Sequence, residues 1–267
     1  MASVTIVAEC GASHQGSFQK AKELACMARE AGADGVKWQM WLNLDAFVGP
    51  RYAYREHFAQ ASLMQREWPR LFDYCRAQGI DPFATPFDLE SVDLLENLGV
   101  SRYKIASGDL TYTPLLKRLG EIGKPVYLST GMGDVCEIQT ALGWLDPCDV
   151  TLLACTVAYP AFPDQAHLQR LLTLKANFPG GPVGYSDHTA TGIASLGAVA
   201  LGATVIEKHV GLMSGADGTS SYEDFASLVR RIRLMSLALG EADLKTYPCE
   251  ERWKPLARRD PETWRRE

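Results

Sequence analysis

The fold of this chain is decided by the stretch Gly32-Ala-Asp-Gly-Val36, in which a glycine ends a helical pattern and an apolar run follows almost at once. The same arrangement recurs at Gly79-Ile-Asp-Pro-Phe83, Gly99-Val-Ser-Arg-Tyr103, Gly123-Lys-Pro-Val-Tyr127 and Gly202-Ala-Thr-Val-Ile206. Glycine ends helices because it adopts the left-handed conformation without a Cβ clash. A short apolar run after it is typical of a buried parallel strand. The repeated pattern therefore predicts a series of βα units.

Together with the apolar runs elsewhere in the chain, these stretches predict eight strands, at Val4–Glu9, Gly35–Gln39, Asp81–Thr85, Arg102–Ser107, Pro125–Thr130, Val150–Cys155, Pro182–Asp187 and Thr204–His209. Helical patterns occur at 17–31, 66–78, 89–98, 113–121, 134–145, 164–177, 191–201 and 222–239. Eight βα units in 267 residues favour an α/β fold of the (β/α)8 TIM-barrel type. A doubly wound open sheet is the alternative, but Gly11-Ala-Ser-His-Gln-Gly16 has the wrong spacing for a dinucleotide-binding turn.

Composition and charge argue against a nucleic-acid-binding protein. The chain is 46% hydrophobic and 22% charged, as in ordinary globular proteins, and its net charge of −5 argues against nucleic acid as a partner.

Seven cysteines without a Cys-x-x-Cys pair predict reduced thiols and a cytoplasmic protein. Residues 1–30 show no signal peptide. The uncharged stretch Thr189–Ile206 is interpreted as a buried helix, turn and strand, so no membrane partner is expected.

The predicted organisation is a catalytic barrel over residues 1–240 and a basic C-terminal tail or truncated linker over 241–267. The segment 40–65 is predicted to be a long, aromatic-rich loop after the second strand. Long loops in compact domains are usually functional.

Polar side chains occupy the predicted carboxyl ends of almost all the strands, where the active site of a barrel forms. These side chains are Glu9, Lys37, Gln39, Thr85, Lys104, Ser107, Ser129, Thr130, Thr156, Tyr159, Ser186, His188, Glu207 and His209. A barrel interior prefers bulky aliphatic residues, and a buried lysine is costly unless it is paired. A ring of such residues predicts a functional site.

The residue types indicate the chemistry. Lys37 and Lys104, with several serine hydroxyls, suit an anion that carries both a phosphate and a carboxylate. His188 and His209 lie on neighbouring strand ends and could share Mn²⁺, Co²⁺, Zn²⁺ or Mg²⁺, although a structural histidine is the simpler interpretation of either one alone. Glu9 is a candidate base or hydroxyl acceptor, or a salt-bridge partner of Lys37.

At these residues the chain resembles the N-acetylneuraminate (sialic acid) synthase family. The matching stretches are Val7-Ala-Glu-Cys-Gly-Ala-Ser-His-Gln-Gly16, Ala31-Gly-Ala-Asp-Gly-Val-Lys-Trp-Gln39, Thr85-Pro-Phe87, Tyr103-Lys-Ile-Ala-Ser107, Leu128-Ser-Thr-Gly-Met132, Tyr159-Pro160, Gly184-Tyr-Ser-Asp-His188 and Gly202-Ala-Thr-Val-Ile-Glu-Lys-His209. The resemblance implies a metal-dependent condensation of phosphoenolpyruvate (PEP) with an aldehyde, usually an N-acyl amino sugar, by C–O cleavage of PEP. The products would be a 2-keto-3-deoxy acid and phosphate, and the enzyme would be a homodimer.

The resemblance also implies residue roles, with Glu9, Lys37 and Lys104 as the catalytic residues. Its PEP-binding set is Lys37, Thr85, Lys104, Ser107, Ser129 and Ser186. Its metal ligands are His188 and His209, with Mn²⁺ expected and Mg²⁺ or Co²⁺ as alternatives. Its aldehyde-binding set is Glu9, Gln39, Tyr159 and Asp217.

Three departures from the family pattern bear on the acceptor. Val157 stands where the family has asparagine, and Ser13-His-Gln-Gly16 stands where it has Asn-His-Asn-Gly. The resemblance covers the barrel domain only, without the family's small antifreeze-like C-terminal domain. If the chain is complete, these departures predict an acceptor other than N-acetylmannosamine, with the aromatic segment Trp41–Phe58 as a wall for an apolar or ring-bearing aldehyde.

Two other functions remain open from the residues. A Schiff-base aldolase would use Lys104 or Lys37 as its nucleophile. A non-catalytic ligand-binding barrel would keep the fold without turnover.

Overall fold

The computed structural model describes residues 4–215 and 218–266, which divide into two compact units, one that ends at Ala238 and one that begins at Leu239. The first unit holds one closed barrel of eight parallel strands that pair in chain order. The strands are β1 Thr5–Gly11, β2 Gly35–Met40, β3 Asp81–Pro86, β4 Tyr103–Ile105, β5 Val126–Ser129, β6 Val150–Ala154, β7 Val183–Asp187 and β8 Val205–His209. The TIM-barrel prediction is confirmed.

Helices follow the strands around the barrel. They are α1 Phe18–Glu30, α2 Leu44–Phe47, α3 Arg55–Ala61, α4 Trp68–Ala77, α5 Leu89–Asn97, α6 Thr113–Ile122, α7 Val135–Trp144, α8 Gln169–Asn177, α9 Ile193–Ala200 and α10 Tyr222–Ala238. The second unit contains two short helices, α11 Pro248–Glu251 and α12 Lys254–Ala257. In the part of the chain that the structure describes, no helix combines the length and apolarity needed to cross a membrane.

The sequence sets the helix limits through local chemistry. Helix α6 ends at Gly123, whose φ of 73° lies in the left-handed region that glycine favours. Helix α7 begins with a capping box, in which the Asp134 carboxylate accepts a hydrogen bond from Glu137 N and the Glu137 carboxylate accepts one from Asp134 N. These limits fix where the next strand starts, and so they fix which residues reach the end of the barrel.

Strand alternation separates two apolar layers. One layer fills the inside of the barrel and consists of Val7, Phe83, Tyr127, Leu153 and Val205. The other packs the outward faces of the strands against the helices and forms the larger core. Because side chains on a strand alternate between faces, the residue two positions beyond each inner apolar residue also points inward, nearer the carboxyl end of its strand. The polar residues of the candidate site occupy this next layer.

Three element predictions are corrected. The segment 40–65 is not all loop, because α2 and α3 lie within it, and Asn43 caps α2 by accepting a hydrogen bond from Ala46 N. Strand β4 ends at Ile105, because Ser107–Asp109 form a 3-10 turn. The helix predicted at 164–177 begins only at Gln169, after a separate 3-10 turn at Pro163–Gln165 and a left-handed residue, His167.

The aromatic side chains of the 40–65 segment pack mainly on one another. The rings of Trp41, Phe47, Phe58 and Phe87 have centroids 4.3 to 6.3 Å apart. The Trp41 indole N–H also donates to the carbonyl oxygen of Phe58, at 3.2 Å. This aromatic cluster stabilises the segment against the end of β3.

Candidate active site

Four buried charged side chains meet inside the carboxyl end of the barrel. The Lys37 ammonium contacts the Glu9 carboxylate and lies 3.5 Å from Oε2 of Glu207. The Lys104 ammonium lies 3.9 Å from the other oxygen of Glu207. None of the four is more than 4% exposed. Sequence analysis placed all four residues in the ring of strand-end polar side chains but gave Glu207 no role, although Glu207 contacts both lysines.

Strand register explains why these four residues meet. Glu9 pairs with Lys37 across β1 and β2. Glu207 lies on β8, two residues before His209, so both point into the barrel. Lys104 reaches the same centre from β4, on the opposite wall. Glu9 and Glu207 lie two residues beyond Val7 and Val205 of the inner apolar layer, and Lys37 is in register with Glu9. Lys104 is in register with Tyr127, which belongs to the inner layer itself.

Hydroxyl groups surround the two lysines. The Lys37 ammonium donates to Thr85 Oγ1 at 3.0 Å. The Lys104 ammonium donates to Ser129 Oγ at 2.7 Å and to the backbone carbonyl oxygen of Ile105 at 2.8 Å. Each lysine is therefore held in place by a hydroxyl that can itself contact an anion.

Two further predicted serines lie close by. The Ser186 hydroxyl donates to Glu207 Oε1 at 2.9 Å. Ser107 Oγ accepts from the backbone N–H of Gly131 at 3.0 Å and lies 3.1 Å from Cys155 Sγ. The structure thus brings all six residues of the predicted PEP-binding set to one end of the barrel.

The electrostatics of the centre favour an anionic ligand. Burial would raise the pKa of Glu207, but Lys104 and Lys37 outweigh it and hold the pKa at about 2. Burial raises the pKa of Glu9 to about 7, against the opposing effect of Lys37. Burial therefore disfavours the charged form of Glu9, and Glu207 is the carboxylate that most firmly balances the two lysines. The resulting excess of positive charge suits a phosphate or carboxylate ligand.

His188 and His209 lie side by side at the ends of β7 and β8, with ring centroids 5.3 Å apart. His188 Nδ1 is 2.7 Å from the carbonyl oxygen of Thr156. Because a carbonyl only accepts, Nδ1 carries the proton and Nε2 keeps a free lone pair. Burial lowers the pKa of His188, and burial with the neighbouring His188 lowers the pKa of His209 to about 3. Both imidazoles are neutral at pH 7, which is the form that binds metal.

The donor chemistry of this pair fits a divalent metal. A hydrogen bond from the distal ring nitrogen to a carbonyl is the usual way in which a protein orients a histidine ligand. Over residues 4–215 and 218–266, no cluster of three or more His, Cys, Asp or Glu side chains has metal-binding geometry. Two histidines leave coordination positions for water and substrate oxygen, as in catalytic metal sites.

Tyr159 stands over the histidine pair. Its ring centroid lies 4.4 Å from that of His188 and 5.8 Å from that of His209. The side chain remains 54% exposed, so it can contact a ligand that enters from the open end of the barrel.

A cavity of about 460 Å³ opens beside His209. Gln39 lies on its wall, whereas Asp217 falls outside the described residues. Glu9 lies just below the wall, since a Cβ added to Gly11 would be 2.8 Å from Glu9 Oε1. That Glu9 oxygen is buried and has no hydrogen-bond partner among the described residues, so it is available to a substrate hydroxyl or a water molecule.

Lys208, next to His209 on β8, forms hydrogen bonds to the backbone around His188 at the end of β7. Its ammonium donates to the carbonyl oxygens of Asp187, Thr189 and Gly218. Gly218 packs so closely that an added Cβ would lie 2.6 Å from the carbonyl oxygen of His188. Lys208 alternates with Glu207 and His209 on β8, so it lies outside the inward-facing set, and sequence analysis did not single it out.

If His188 and His209 hold a metal, Lys208→Met should weaken its binding by about tenfold, because losing a group that orients metal ligands typically costs this much or more. Titration with Mn²⁺, followed by electron paramagnetic resonance, measures the change. Lys175→Met is a matched control, because Lys175 also donates to two carbonyls, those of Leu201 and Gly202, at the other end of β8. Equal Mn²⁺ affinity in Lys208→Met and the unsubstituted protein would contradict this role.

Comparisons with known proteins are consistent with this geometry. A model described as the NeuB family matches residues 24–244. The chain belongs to the NeuB family. An uncharacterised protein of Methanocaldococcus jannaschii is 42% identical to it, over 92% of this chain and 74% of the relative. The N,N'-diacetyllegionaminic acid synthase of Campylobacter jejuni is 37% identical, over 94% of this chain and 82% of the relative.

The similarity to one solved structure covers the whole barrel of this chain. The N-acetylneuraminic acid (sialic acid) synthetase of Leptospira borgpetersenii, in complex with citrate, superposes with a TM-score of 0.89 at 30% identity. The match covers 95% of this NeuB-family chain and 90% of the synthetase. The family resemblance inferred from the strand-end motifs is thereby confirmed.

Proposed function

We propose that this NeuB-family protein condenses phosphoenolpyruvate with a sugar-like aldehyde to give a 2-keto-3-deoxy acid and phosphate. One observation carries the proposal. Two buried lysines with hydroxyl partners adjoin a pair of neutral histidines and a polar cavity, all at the carboxyl end of one barrel. An anion site beside an open metal site is what this condensation requires.

The lysines and hydroxyls would bind PEP. Lys37 and Lys104 provide two almost fully buried cations, and charge-assisted hydrogen bonds are strong in a buried environment. Thr85, Ser129 and the more open Ser107 add hydroxyl contacts to the phosphate and carboxylate oxygens. Ser186 joins them from β7. PEP would be held with its C3 toward the cavity in which the aldehyde binds.

His188 and His209 would hold a divalent metal, with Mn²⁺ as the candidate we favour. When bound, the metal would polarise the aldehyde oxygen and so make the carbonyl carbon more electrophilic. His188 keeps its ligating lone pair toward the site because the Thr156 carbonyl fixes its proton on Nδ1.

The remaining residues would act on the acceptor and on water. Gln39 and Tyr159 would orient the aldehyde against C3 of PEP. A new C–C bond forms as the PEP double bond attacks the aldehyde carbon. Water adds at C2, and Glu9, which has a buried oxygen without a hydrogen-bond partner beside Gly11, would accept one water proton and pass it to the aldehyde oxygen. The C2–O bond to phosphate then breaks, the departing phosphate takes the proton of the C2 hydroxyl, and the keto group is left at C2.

The route of bond cleavage is testable with an isotope. PEP labelled with ¹⁸O at the bridging oxygen should deliver the label to inorganic phosphate, because water attacks carbon and the C–O bond breaks. Mass spectrometry of the phosphate measures this. Label that stays in the keto acid would mean P–O cleavage and would overturn the proposed mechanism.

A Schiff-base aldolase would use a deprotonated lysine as its nucleophile. Carboxylates at Glu207 and Glu9 raise the pKa of Lys37 against the opposing effect of burial, which disfavours Lys37 in this role. Burial lowers the pKa of Lys104, so Lys104 is the residue to test. Borohydride reduction in the presence of a keto acid should leave the protein mass unchanged, and a covalent adduct at Lys104 would favour the aldolase.

A further inference from the structure

Cys155 is the inward-facing side chain at the carboxyl end of β6. It lies two residues beyond Leu153, which belongs to the inner apolar layer, so strand alternation points it into the barrel. The residue is only 2% exposed, and its thiol is free. The flanking strands contribute the hydroxyls of Ser129 and Ser186 to the candidate site, whereas β6 contributes this thiol.

The thiol contacts one residue of the proposed PEP-binding set. Cys155 Sγ lies 3.1 Å from Ser107 Oγ, and either atom could supply the proton. Within the part of the chain that the structure describes, this is the one hydrogen bond of the Cys155 side chain. Ser107 follows β4, and β5 lies between β4 and β6. The contact therefore joins the ends of two strands that are not neighbours.

Gly131, just after β5, allows the two side chains to meet. Its backbone N–H donates to Ser107 Oγ at 3.0 Å. A Cβ added at Gly131 would lie 2.8 Å from Ser107 Oγ and 2.8 Å from Cys155 Sγ, closer than Cβ atoms come to their neighbours in real proteins. A larger residue at this position would push the amide, the hydroxyl and the thiol apart.

The hydrogen-bonding capacity of the Ser107 hydroxyl limits what it can offer to a ligand. A hydroxyl has one proton to donate and two lone pairs that accept. The Gly131 amide occupies one lone pair. If the Cys155 thiol donates to the second, the hydroxyl proton stays available for an anion. If the hydroxyl donates to sulfur instead, that proton is used. Sulfur is a weak acceptor, and a charge-assisted bond to a PEP oxygen is stronger.

We propose that Cys155 is a positioning residue for PEP, whose thiol donates to Ser107 Oγ and so leaves the Ser107 proton directed at the anion. The inference rests on the proposed function, because PEP is the ligand, and it adds a residue to that site. Cys155 acts through Ser107 and needs no contact with PEP of its own.

Calorimetric titration with PEP measures this contribution. Cys155→Ala should weaken PEP binding about fivefold, the value of one ordinary hydrogen bond. Cys155→Ser should recover most of the loss, because a hydroxyl also donates. In turnover, the KM for PEP should rise by a similar factor in Cys155→Ala, with the KM for the aldehyde unchanged.

Cys148→Ala is the matched control. The Cys148 thiol also donates a hydrogen bond, to the carbonyl oxygen of Leu119 at 3.4 Å, but it lies before the start of β6, at the other end of the strand. This variant loses a thiol hydrogen bond away from the candidate site, so it should bind PEP normally.

A double-mutant cycle relates the loss to Ser107. Ser107→Ala removes the hydroxyl that Cys155 is proposed to orient. In that background, Cys155→Ala should weaken PEP binding no further. Losses that simply add would mean that the thiol acts independently of Ser107, and would overturn the inference.

Infrared spectroscopy of the unsubstituted protein shows the direction of the hydrogen bond. The S–H stretching band of Cys155, identified by its absence from Cys155→Ala, should lie at a lower frequency than that of a thiol without an acceptor. PEP should lower the frequency further, because a hydroxyl that donates to an anion becomes a stronger acceptor. A band at the frequency of a thiol without an acceptor, unchanged by PEP, would contradict the proposed direction.

The calorimetric results also separate this inference from the proposed function. Absence of PEP binding by the unsubstituted protein would count against the proposed function and, with it, against the role of Cys155. PEP binding that Cys155→Ala leaves unchanged would refute the role of Cys155 alone and leave the condensation intact. Equal losses in Cys155→Ser and Cys155→Ala would do the same, because packing rather than donation would then explain the effect.

Discussion

Lys37→Met should lower kcat/KM for PEP by about a thousandfold, because a buried anion would lose its charge-assisted partner at a cost of several kcal/mol. The loss should appear in the KM for PEP as well as in kcat, since Lys37 would contact the phosphate or carboxylate before and during the reaction. Steady-state kinetics with phosphate release as the readout measures both. Undiminished kcat/KM in this variant would remove Lys37 from the PEP site.

The same variant should also be less stable, and a second substitution separates the two effects. Without Lys37, the Glu9 carboxylate loses its contacting cation and Glu207 loses one of its two. Breaking a buried pair in this way costs about 3–5 kcal/mol, which corresponds to a fall in Tm of about 10 °C for a domain of this size. Lys37→Met with Glu9→Gln should recover part of the Tm but none of the activity. Recovery of activity with Tm would mean that the residue is only structural.

His209→Ala should abolish Mn²⁺ binding and reduce turnover by about a thousandfold, because a Lewis acid supplies several kcal/mol of transition-state stabilisation. Chelation of the unsubstituted protein should give the same loss, and Mn²⁺ should restore it. Electron paramagnetic resonance of Mn²⁺ measures binding without relying on turnover.

His167→Asn is the control for this histidine. His167 has a φ of 45°, and asparagine tolerates that backbone conformation well. It lies before α8 and lines a different cavity from His209. The control should bind Mn²⁺ normally. Full activity in chelated protein, or normal Mn²⁺ binding by His209→Ala, would contradict the metal assignment.

Much of the site follows from alternation along the strands. Val7 and Phe83 belong to the inner apolar layer, and two residues further on the same faces present Glu9 and Thr85. The helix-ending glycines fix where the strands start, so the sequence predicts which polar residues reach the open end. It also places His188 and His209 together, since β7 and β8 are neighbours.

The alternation of side chains along a strand predicts whether a residue faces into or out of the barrel. It does not predict which residue that side chain contacts across the barrel. Glu207 points inward by the same rule as His209, yet its contacts with Lys37 and Lys104 depend on side chains that meet from three walls. Lys208 was missed for a related reason. It lies on the outward face of β8, and its three carbonyl partners come from segments that only the folded chain brings together.

The short helices of the 40–65 segment were not predictable from periodicity. Helix α2 has four residues and α3 has seven, which is too short for an amphipathic pattern to stand out. Their stability depends on tertiary contacts such as the stacking of Phe47 on Phe87, at 4.3 Å between centroids. Those contacts turn the aromatic side chains toward one another, which a linear sequence does not reveal.

The proposed condensation is tested most directly by incubating the purified protein with PEP, Mn²⁺ and a panel of sugar-like aldehydes, and by measuring phosphate and keto acid together. We expect equal amounts of phosphate and of a 2-keto-3-deoxy acid whose mass is that of the aldehyde plus pyruvate, formed only when PEP and an aldehyde are both present. Carbon NMR of the product should show the new bond to C3 of PEP. Phosphate release that is independent of aldehyde, or a panel in which no aldehyde yields this product, would contradict the central claim.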